Sequence, residues 1–507
     1  ITGTLINRPN TATFRLQDLV GVDTGEKVSQ FVMQACKDDE FIASIEGATT
    51  PDYINFLIEN KFLGRKSGKG FYEKTKEKDE NGKTIINALN LETLKYEKSI
   101  KPKLALVSEA KKIEVFSKRL QHTIDSDERE AKFLQEYFAS LFAYAANRVP
   151  EISDNIYSVD DAMRTGYMWG FGPFEYWDEL GFEKGLQLMM DAEEKVPQWI
   201  EDMKQAGVDS FYRLRDGHRE YYDFNEGQYK TIPGSDEMII LDAYRKNTPV
   251  IKNSECVVHD IGDGVMCLEF QSKSNAIGTG IGEALFEAIQ KAENEGWNGL
   301  VIGNNAKNFT VGANLMNVGM LAMQKQFDEL DKMVNEFQQL TMLLKTSKIP
   351  TVVATQGYVF GGGCEIAMHC DAGIYAAESY IGLVEVGVGL LPGGGGTKEM
   401  ALRASDSYFE GDVQIPTLIE HFKPIATATV ATSAYEAYEH HLLLKTKDEI
   451  CIKKERNISL AKEKVLELSK NYISGIKRDN VTVLGRTGLS ALYTAINEFR
   501  LGNYMSD

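Results

Sequence analysis

Two glutamates in unusual surroundings are the residues of this sequence best suited to chemistry. Glu365 follows three glycines in GYVFGGGCEIAMHCDAG (357–373), and Glu385 is the single charge inside the apolar run YIGLVEVGVGLL (380–391). Gly361, Gly362 and Gly363 come after a strand-like run and before a helical pattern that opens near Glu365. Backbone without Cβ at a helix N-terminus leaves N–H groups free to face an anion or a polarised carbonyl. That is the arrangement of an oxyanion hole, although an isolated glycine triplet also serves as a tight packing turn. A carboxylate in the first helical turn is favoured by the helix dipole. Glu385 either reaches a solvated edge or sits in a pocket that alters its pKa. Strand-like sequence separates the two carboxylates, so they can converge on one site. Upstream, AKNFTVGANLM (306–316) follows the strand-like LVIGN (300–304), and its Gly312-Ala313 turn offers a second backbone donor.

The elements that must position these groups read as α/β. VMCLEF (265–270), LVIGN, TVVAT (351–355) and GIYAA (373–377) are short apolar runs of strand type. Between them Ile281, Ala284, Leu285, Ala288 and Ile289 mark one helix face, closed near Gly296. Phe327, Leu330, Val334, Phe337, Leu340 and Leu344 mark a longer helix that stops at Pro350. Strands alternating with helices predict an α/β domain. The N-terminal half differs. Phe-x3-Asp-x2-Gly occurs at Phe14, Asp18, Gly21 and again at Phe174, Asp178, Gly181, and a Phe-Tyr pair follows each, Phe71-Tyr72 and Phe211-Tyr212. This predicts two divergent copies of a helical unit. The Lys/Glu-rich stretch 73–103 reads as a solvated connector, and 224–255 as a second one.

Composition removes several classes of function. With 56 Lys+Arg against 74 Asp+Glu, the net charge of −18 argues against wholesale binding to nucleic acid or anionic membranes. No apolar run reaches the ~18 residues of a membrane span. Six cysteines without CxxC or zinc spacing are expected to be reduced thiols, and no metal site is indicated. Gly278, Gly280 and Gly282 approach a dinucleotide-binding GxGxxG, but Glu283 stands where the third glycine belongs. His440 and His441 are expected to be exposed.

The run from about 256 to 440 resembles the crotonase, or enoyl-CoA hydratase, superfamily. The resemblance rests on the GAN turn (312–314), the GGGCE segment with Cys370-Asp371 after it, and VEVGVGLLPGGGGT (384–397). It implies that Glu365 and Glu385 bind and activate water, and that the N–H groups of Ala313 and Gly362 form the oxyanion hole. Gly312, Asn314, Gly361 and Gly393 would then line the acyl-CoA, with Gly393 near the catalytic water. Asn314 departs from the family, which commonly has Asp there.

RPNTATFRLQDLVGVDT (8–24) and FLGRKSGKGFY (62–72) resemble the C-terminal helical domain of 3-hydroxyacyl-CoA dehydrogenases, and 147–181 resembles a second copy. This pairing is that of a bacterial bifunctional fatty-acid β-oxidation protein. The resemblance implies a multidomain fold, with two all-α dehydrogenase C-terminal-type units followed by an α/β crotonase (ClpP/crotonase-like) domain and a helical C-terminal region. The expected divisions are 1–75 (first helical unit), 76–103 (connector), 104–223 (second helical unit), 224–255 (linker), 256–410 (crotonase core) and 411–507 (helical region).

The implied reaction is reversible syn addition of water to a trans-2-enoyl-CoA in β-oxidation, with Glu365 as base and Glu385 as proton donor. The rivals are enoyl-CoA isomerisation, which needs one carboxylate, and a non-catalytic docking body for an NAD domain. The seven histidines match no dehydrogenase motif, and the chain begins at Ile1 rather than Met. We therefore expect a fragment lacking its N-terminal Rossmann domain. It would carry no cofactor of its own, with NAD confined to that domain in cis. Acyl-CoA thioester is the expected partner, a homo-oligomer the expected assembly, and the bacterial cytoplasm the expected compartment.

Overall fold

A computed structural model describes residues 1–504 apart from Lys101, Asp216 and Lys246. The sequence repeat becomes a repeated hydrogen-bond clasp. Asp18 accepts the backbone N–H groups of Phe71 and Tyr72 at 2.7 and 3.0 Å, and Asp178 accepts those of Phe211 and Tyr212 at 2.8 and 2.8 Å. Helices Ala12–Val20 and Val22–Ala35 meet at Gly21, and helices Pro173–Leu180 and Phe182–Asp191 meet at Gly181. Their φ values of 107° and 104° are matched, and an L side chain would be strained at either. Phe14 touches Phe71 and Phe174 touches Phe211, at 4.9 and 5.1 Å between ring centroids.

Burial distinguishes the copies. The second is enclosed by helices Phe116–Ile124, Arg129–Ile152 and Ile156–Tyr167 around Phe138, Phe142, Phe174, Trp177 and Phe211. Pro150 has no N–H to offer the Ala146 carbonyl, and the Trp199 indole donates to that oxygen instead, at 3.0 Å. Leu5 and Ile6 belong to this second core, so the expected unit 1–75 shares its start with the other copy. In the first copy Leu16, Leu19, Val20, Val28 and Phe31 remain exposed.

The expected connector 76–103 is structured. Strands Tyr72–Lys78, Thr84–Leu89 and Tyr96–Lys98 form an antiparallel sheet. Leu89 and Tyr96 complete the first copy's apolar cluster with Leu57 and Phe71. The charged side chains that suggested a connector, Lys74, Lys76, Glu77 and Lys78, are exposed along the first of these strands. Residues 224–255 likewise hold strands Gln228–Thr231 and Ile251–Lys252 and a helical turn, Leu241–Tyr244.

The chain divides into two units, one of residues 1–213 with 220–232, the other of 214–219 with 233–507. The second is built on a seven-stranded sheet: β1 (Ile251–Lys252), β2 (Cys256–Asp260), β3 (Val265–Phe270), β4 (Gly299–Ile302), β5 (Thr351–Phe360), β6 (Ala372–Gly382) and β7 (Asp448–Cys451). The strands lie side by side in chain order and are parallel from β3 to β7. Side chains alternate between two apolar layers. Met266, Leu268, Leu300, Ile302 and Val353 face a layer with α1 (Thr279–Glu295), α3 (Phe327–Thr346) and α4 (Gly362–His369). Val265, Cys267, Val301, Val352 and Ala354 face α6 (Asn457–Ser469). In chain order α2 (Leu315–Met323) precedes α3, and α5 (Gly396–Asp406) follows α4. The expected helical region 411–507 also supplies β7 to the sheet.

All six cysteines are free, and all but Cys36 are buried. His441, expected at the surface, stacks on the buried His421 with ring centroids 3.9 Å apart. Among the described residues no helix is long and apolar enough to cross a membrane.

Candidate active site

The parallel sheet delivers its chemistry at the C-terminal ends of β5 and β6. β5 ends at Phe360, and Gly361 turns the chain into α4 with φ +51°, a conformation L side chains rarely adopt. Gly362 opens α4, so its N–H lies among the first-turn amides that have no intrahelical acceptor. Gly363 is required by close approach, since a Cβ there would stand 2.0 Å from Thr310 Cγ2.

Thr310 fixes the second donor. The N–H groups of Phe309 and Thr310 donate to the carbonyls of Gln356 and Tyr358, which zips this segment along β5. Thr310 Oγ1 donates to Asn275 O at 2.6 Å and accepts the Gly312 N–H at 3.0 Å. Ala313 forms a parallel bridge with Ile277 in which Gly312 O and Asn314 N make the bonds. The Ala313 N–H therefore points to the opposite side. A Cβ on Gly312 would lie 3.0 Å from Phe360 O and 3.8 Å from Gly361 Cα, so the two donor turns are neighbours. Asn314 Oδ1 accepts the Met316 N–H at 3.2 Å and caps α2, a bond that Asp could make as well.

Both glutamates converge on this place. Glu365 is buried, and its Oε1 accepts the Gly396 N–H at 2.8 Å. Glu385 begins a short 3-10 helix, and its Oε1 lies 3.0 Å from where a Cβ on Gly361 would stand. Its Oε2 is buried without a hydrogen-bond partner among the described residues. Burial pushes Glu365 up to about 7, and neighbouring Glu385 adds to the rise, against backbone N–H groups of Gly396 and Gly394 and the Lys398 charge. Burial raises Glu385 as well. Gly393 belongs to the loop over Glu365. Its carbonyl accepts from Gln338 Nε2 at 2.8 Å, and that of Gly394 accepts from Thr341 Oγ1 at 2.7 Å, which straps the loop to α3.

Sequence reasoning missed the strap residues Gln338 and Thr341, the Gly396 donor, and His369 with Lys398. Only His369 left a signal, because four residues after Glu365 is the same face of α4. The near-match at Gly278 is closed to a dinucleotide. Glu255 Oε2 accepts the Ile281 N–H at 3.1 Å, and a Cβ on Gly278 would stand 2.3 Å from Glu255 Oε1. The chain supplies its own anion there, so this helix start does not fit a pyrophosphate. No group of three His, Cys, Asp or Glu side chains among the described residues is placed to hold a metal ion.

The arrangement brings two buried carboxyls to a glycine turn that bears one backbone donor and adjoins another. Residues 260–410 match the family model for enoyl-CoA hydratase/isomerase, and residues 4–74 match that for the C-terminal domain of 3-hydroxyacyl-CoA dehydrogenase. The chain is 35% identical over 508 residues to a Bacillus subtilis protein named "Probable 3-hydroxyacyl-CoA dehydrogenase", covering 100% of this chain and 62% of that protein. It thus spans less than two thirds of that relative. It is 32% identical over 139 residues to a Pongo abelii protein named "Enoyl-CoA hydratase, mitochondrial", covering 27% of this chain and 46% of that one. A crystal structure of an enoyl-CoA hydratase from Bacillus anthracis aligns with 48% of this chain and 90% of its own, at 22% identity and a TM-score of 0.35.

Proposed function

We propose, for a chain that joins a 3-hydroxyacyl-CoA dehydrogenase C-terminal domain to a crotonase-fold enoyl-CoA hydratase domain, that it adds water reversibly to trans-2-enoyl-CoA in fatty-acid β-oxidation. The observation that carries this reading is the convergence of Glu365 and Glu385, both raised by burial, on the turn that bears Gly362 and adjoins Ala313.

The chemistry follows from charge. When water attacks C3, the C2=C3 electron pair moves toward the thioester and negative charge grows on its oxygen. The Ala313 and Gly362 N–H groups face that oxygen, and one such donor is worth about 2.7–4 kcal/mol. Ionised Glu365 takes a proton from water as its oxygen bonds to C3, and neutral Glu385 gives its proton to C2. The roles suit the surroundings, since the Gly396 N–H favours charge on Glu365, whereas Glu385 Oε2 has no competing partner among the described residues. The product is 3-hydroxyacyl-CoA, and proton exchange between the two carboxyls restores the site. Isomerisation would leave one of the carboxyls without a task.

Residues 1–75 and 104–223 then belong to the dehydrogenase half of a bifunctional protein, whose Rossmann domain and NAD lie outside this chain. The exposed Leu16 and Val20 support a further domain against the first copy, because Tyr176 and Leu180 are buried at the matching positions of the second. A bacterial relative supports the bacterial cytoplasm as its compartment.

The test is loss of conjugated thioester absorbance with crotonyl-CoA. Glu365→Gln and Glu385→Gln should each lower kcat by about 10²–10⁴-fold. Unchanged rates in both variants would sink the reading.

A further inference from the structure

His369 is buried one helical turn after Glu365, and nothing in the reaction above uses it. Its Nδ1 lies 2.6 Å from the Glu365 carbonyl oxygen and its Nε2 lies 2.8 Å from Lys398 Nζ. An ammonium can only donate and a carbonyl can only accept. The ring is therefore neutral, with the proton on Nδ1. Burial pushes His369 down to about 4, with Lys398 and Lys345 adding to burial and Glu399 opposing it.

The bonds close a loop. Lys398 stands two residues after Gly396, whose N–H holds the Glu365 carboxylate. Glu365 is thus gripped at both ends, the carboxylate by Gly396 and the main chain by His369, and the Lys398–His369 bond completes the circuit. Lys398 is held in turn by Glu399 at 2.7 Å, which also pairs with Lys345 of α3 at 2.6 Å. The glycine turn fits tightly here, since a Cβ on Gly395 would lie 3.0 Å from His369 Nε2.

We propose that His369 and Lys398 are positioning residues that lock the glycine turn 393–396 onto α4 and so hold the Glu365 carboxylate in its reacting geometry. The proposal rests on the reading of Glu365 as a reacting group. The charged and titratable groups that face this assembly are Glu385, Cys364 and Lys398 around Glu365, and Glu399, Lys345 and Lys398 around His369.

The experiment is kcat and KM for crotonyl-CoA hydration across pH in the full chain. His369→Leu and Lys398→Met should lower kcat by about 10- to 100-fold with KM changed less than about threefold, as expected when a reacting group is misplaced while substrate binding stays intact. Lys398→Met should also move the acid limb of kcat/KM to higher pH, because the charge favouring ionised Glu365 is gone. Lys398→Arg should restore both kcat and the limb. Lys398 is partly exposed, so its variants keep the test readable where a His369 variant fails to fold. An unchanged kcat in Glu365→Gln would overturn the hydratase reading itself. A lost rate there, with wild-type kcat and an unmoved limb in Lys398→Met, would overturn the positioning role alone.

Discussion

In the proposed hydration, Glu365 ties activity and stability to the same proton. Its carboxyl is raised from 4.5 to about 7, so the folded protein holds this proton more tightly than the unfolded chain. The resulting stability is fully present below pH 4.5 and is lost as pH rises through 7, where the buried group must ionise. A rise of this size corresponds to about 3 kcal/mol. Glu365→Gln stays neutral at all pH. It should be more stable than wild type by about 2–3 kcal/mol at pH 8, with little difference at pH 4.5, as read by urea unfolding. In the proposed hydration the same proton acts with the opposite sign. If ionised Glu365 is the base, kcat/KM should fall about tenfold per unit below its raised value of about 7, whereas an ordinary carboxylate would place that limb near pH 4.5. Glu365 was legible as a candidate from its letter and neighbours. Its partners were not, because the groups that hold it include the amide of Gly396, which carries no mark in a sequence.

At the scale of elements, close approach makes the glycines obligatory. Gly363→Ala would drive a methyl into Thr310 Cγ2, and Thr310 cannot rotate away without releasing Asn275 O and Gly312 N. It should cost about 1–3 kcal/mol and lower kcat by displacing Ala313. Thr310→Ser in the same background removes the clashing methyl and keeps the hydroxyl, so it should recover most of both losses in thermal unfolding and in the crotonyl-CoA assay. In the helical copies each clasp carboxylate answers two amides. Asp178→Ala should therefore destabilise by about 3–6 kcal/mol, since hydrogen bonds to charged groups are worth about 1.5–3 each. Equal stability of that variant by calorimetry would show that the clasp is ornamental. The repeated Phe, Asp and Gly revealed the clasp in the sequence, whereas the sheet over 72–98 stayed hidden behind its Lys and Glu side chains.

For the whole molecule, the helix start most like a dinucleotide site is closed by Glu255. The chain should hydrate crotonyl-CoA at a rate independent of NAD, and it should not oxidise NADH in the presence of acetoacetyl-CoA. Turnover of NADH would mean that a nicotinamide site exists within these residues. The two units are also read differently from sequence. The second announces its strands through short apolar runs, whose side chains the fold divides between two buried layers, and the first through a motif repeated once.

The sequence by itself determined the α/β order around Glu365, the two glutamates, the donor turns and the doubling of the helical unit. These are properties of neighbouring residues: apolar period, glycine where φ is positive, and a charge set in an apolar run. The tertiary structure alone decided that Gly396 grips Glu365, that His369 and Lys398 close the circuit behind it, and that Glu255 fills the near-match turn. It also decided that β7 joins the sheet from beyond the expected core. Each of these joins residues far apart in the chain or uses a backbone amide, and no local pattern of side chains encodes which amide a folded chain will bring to which carboxylate.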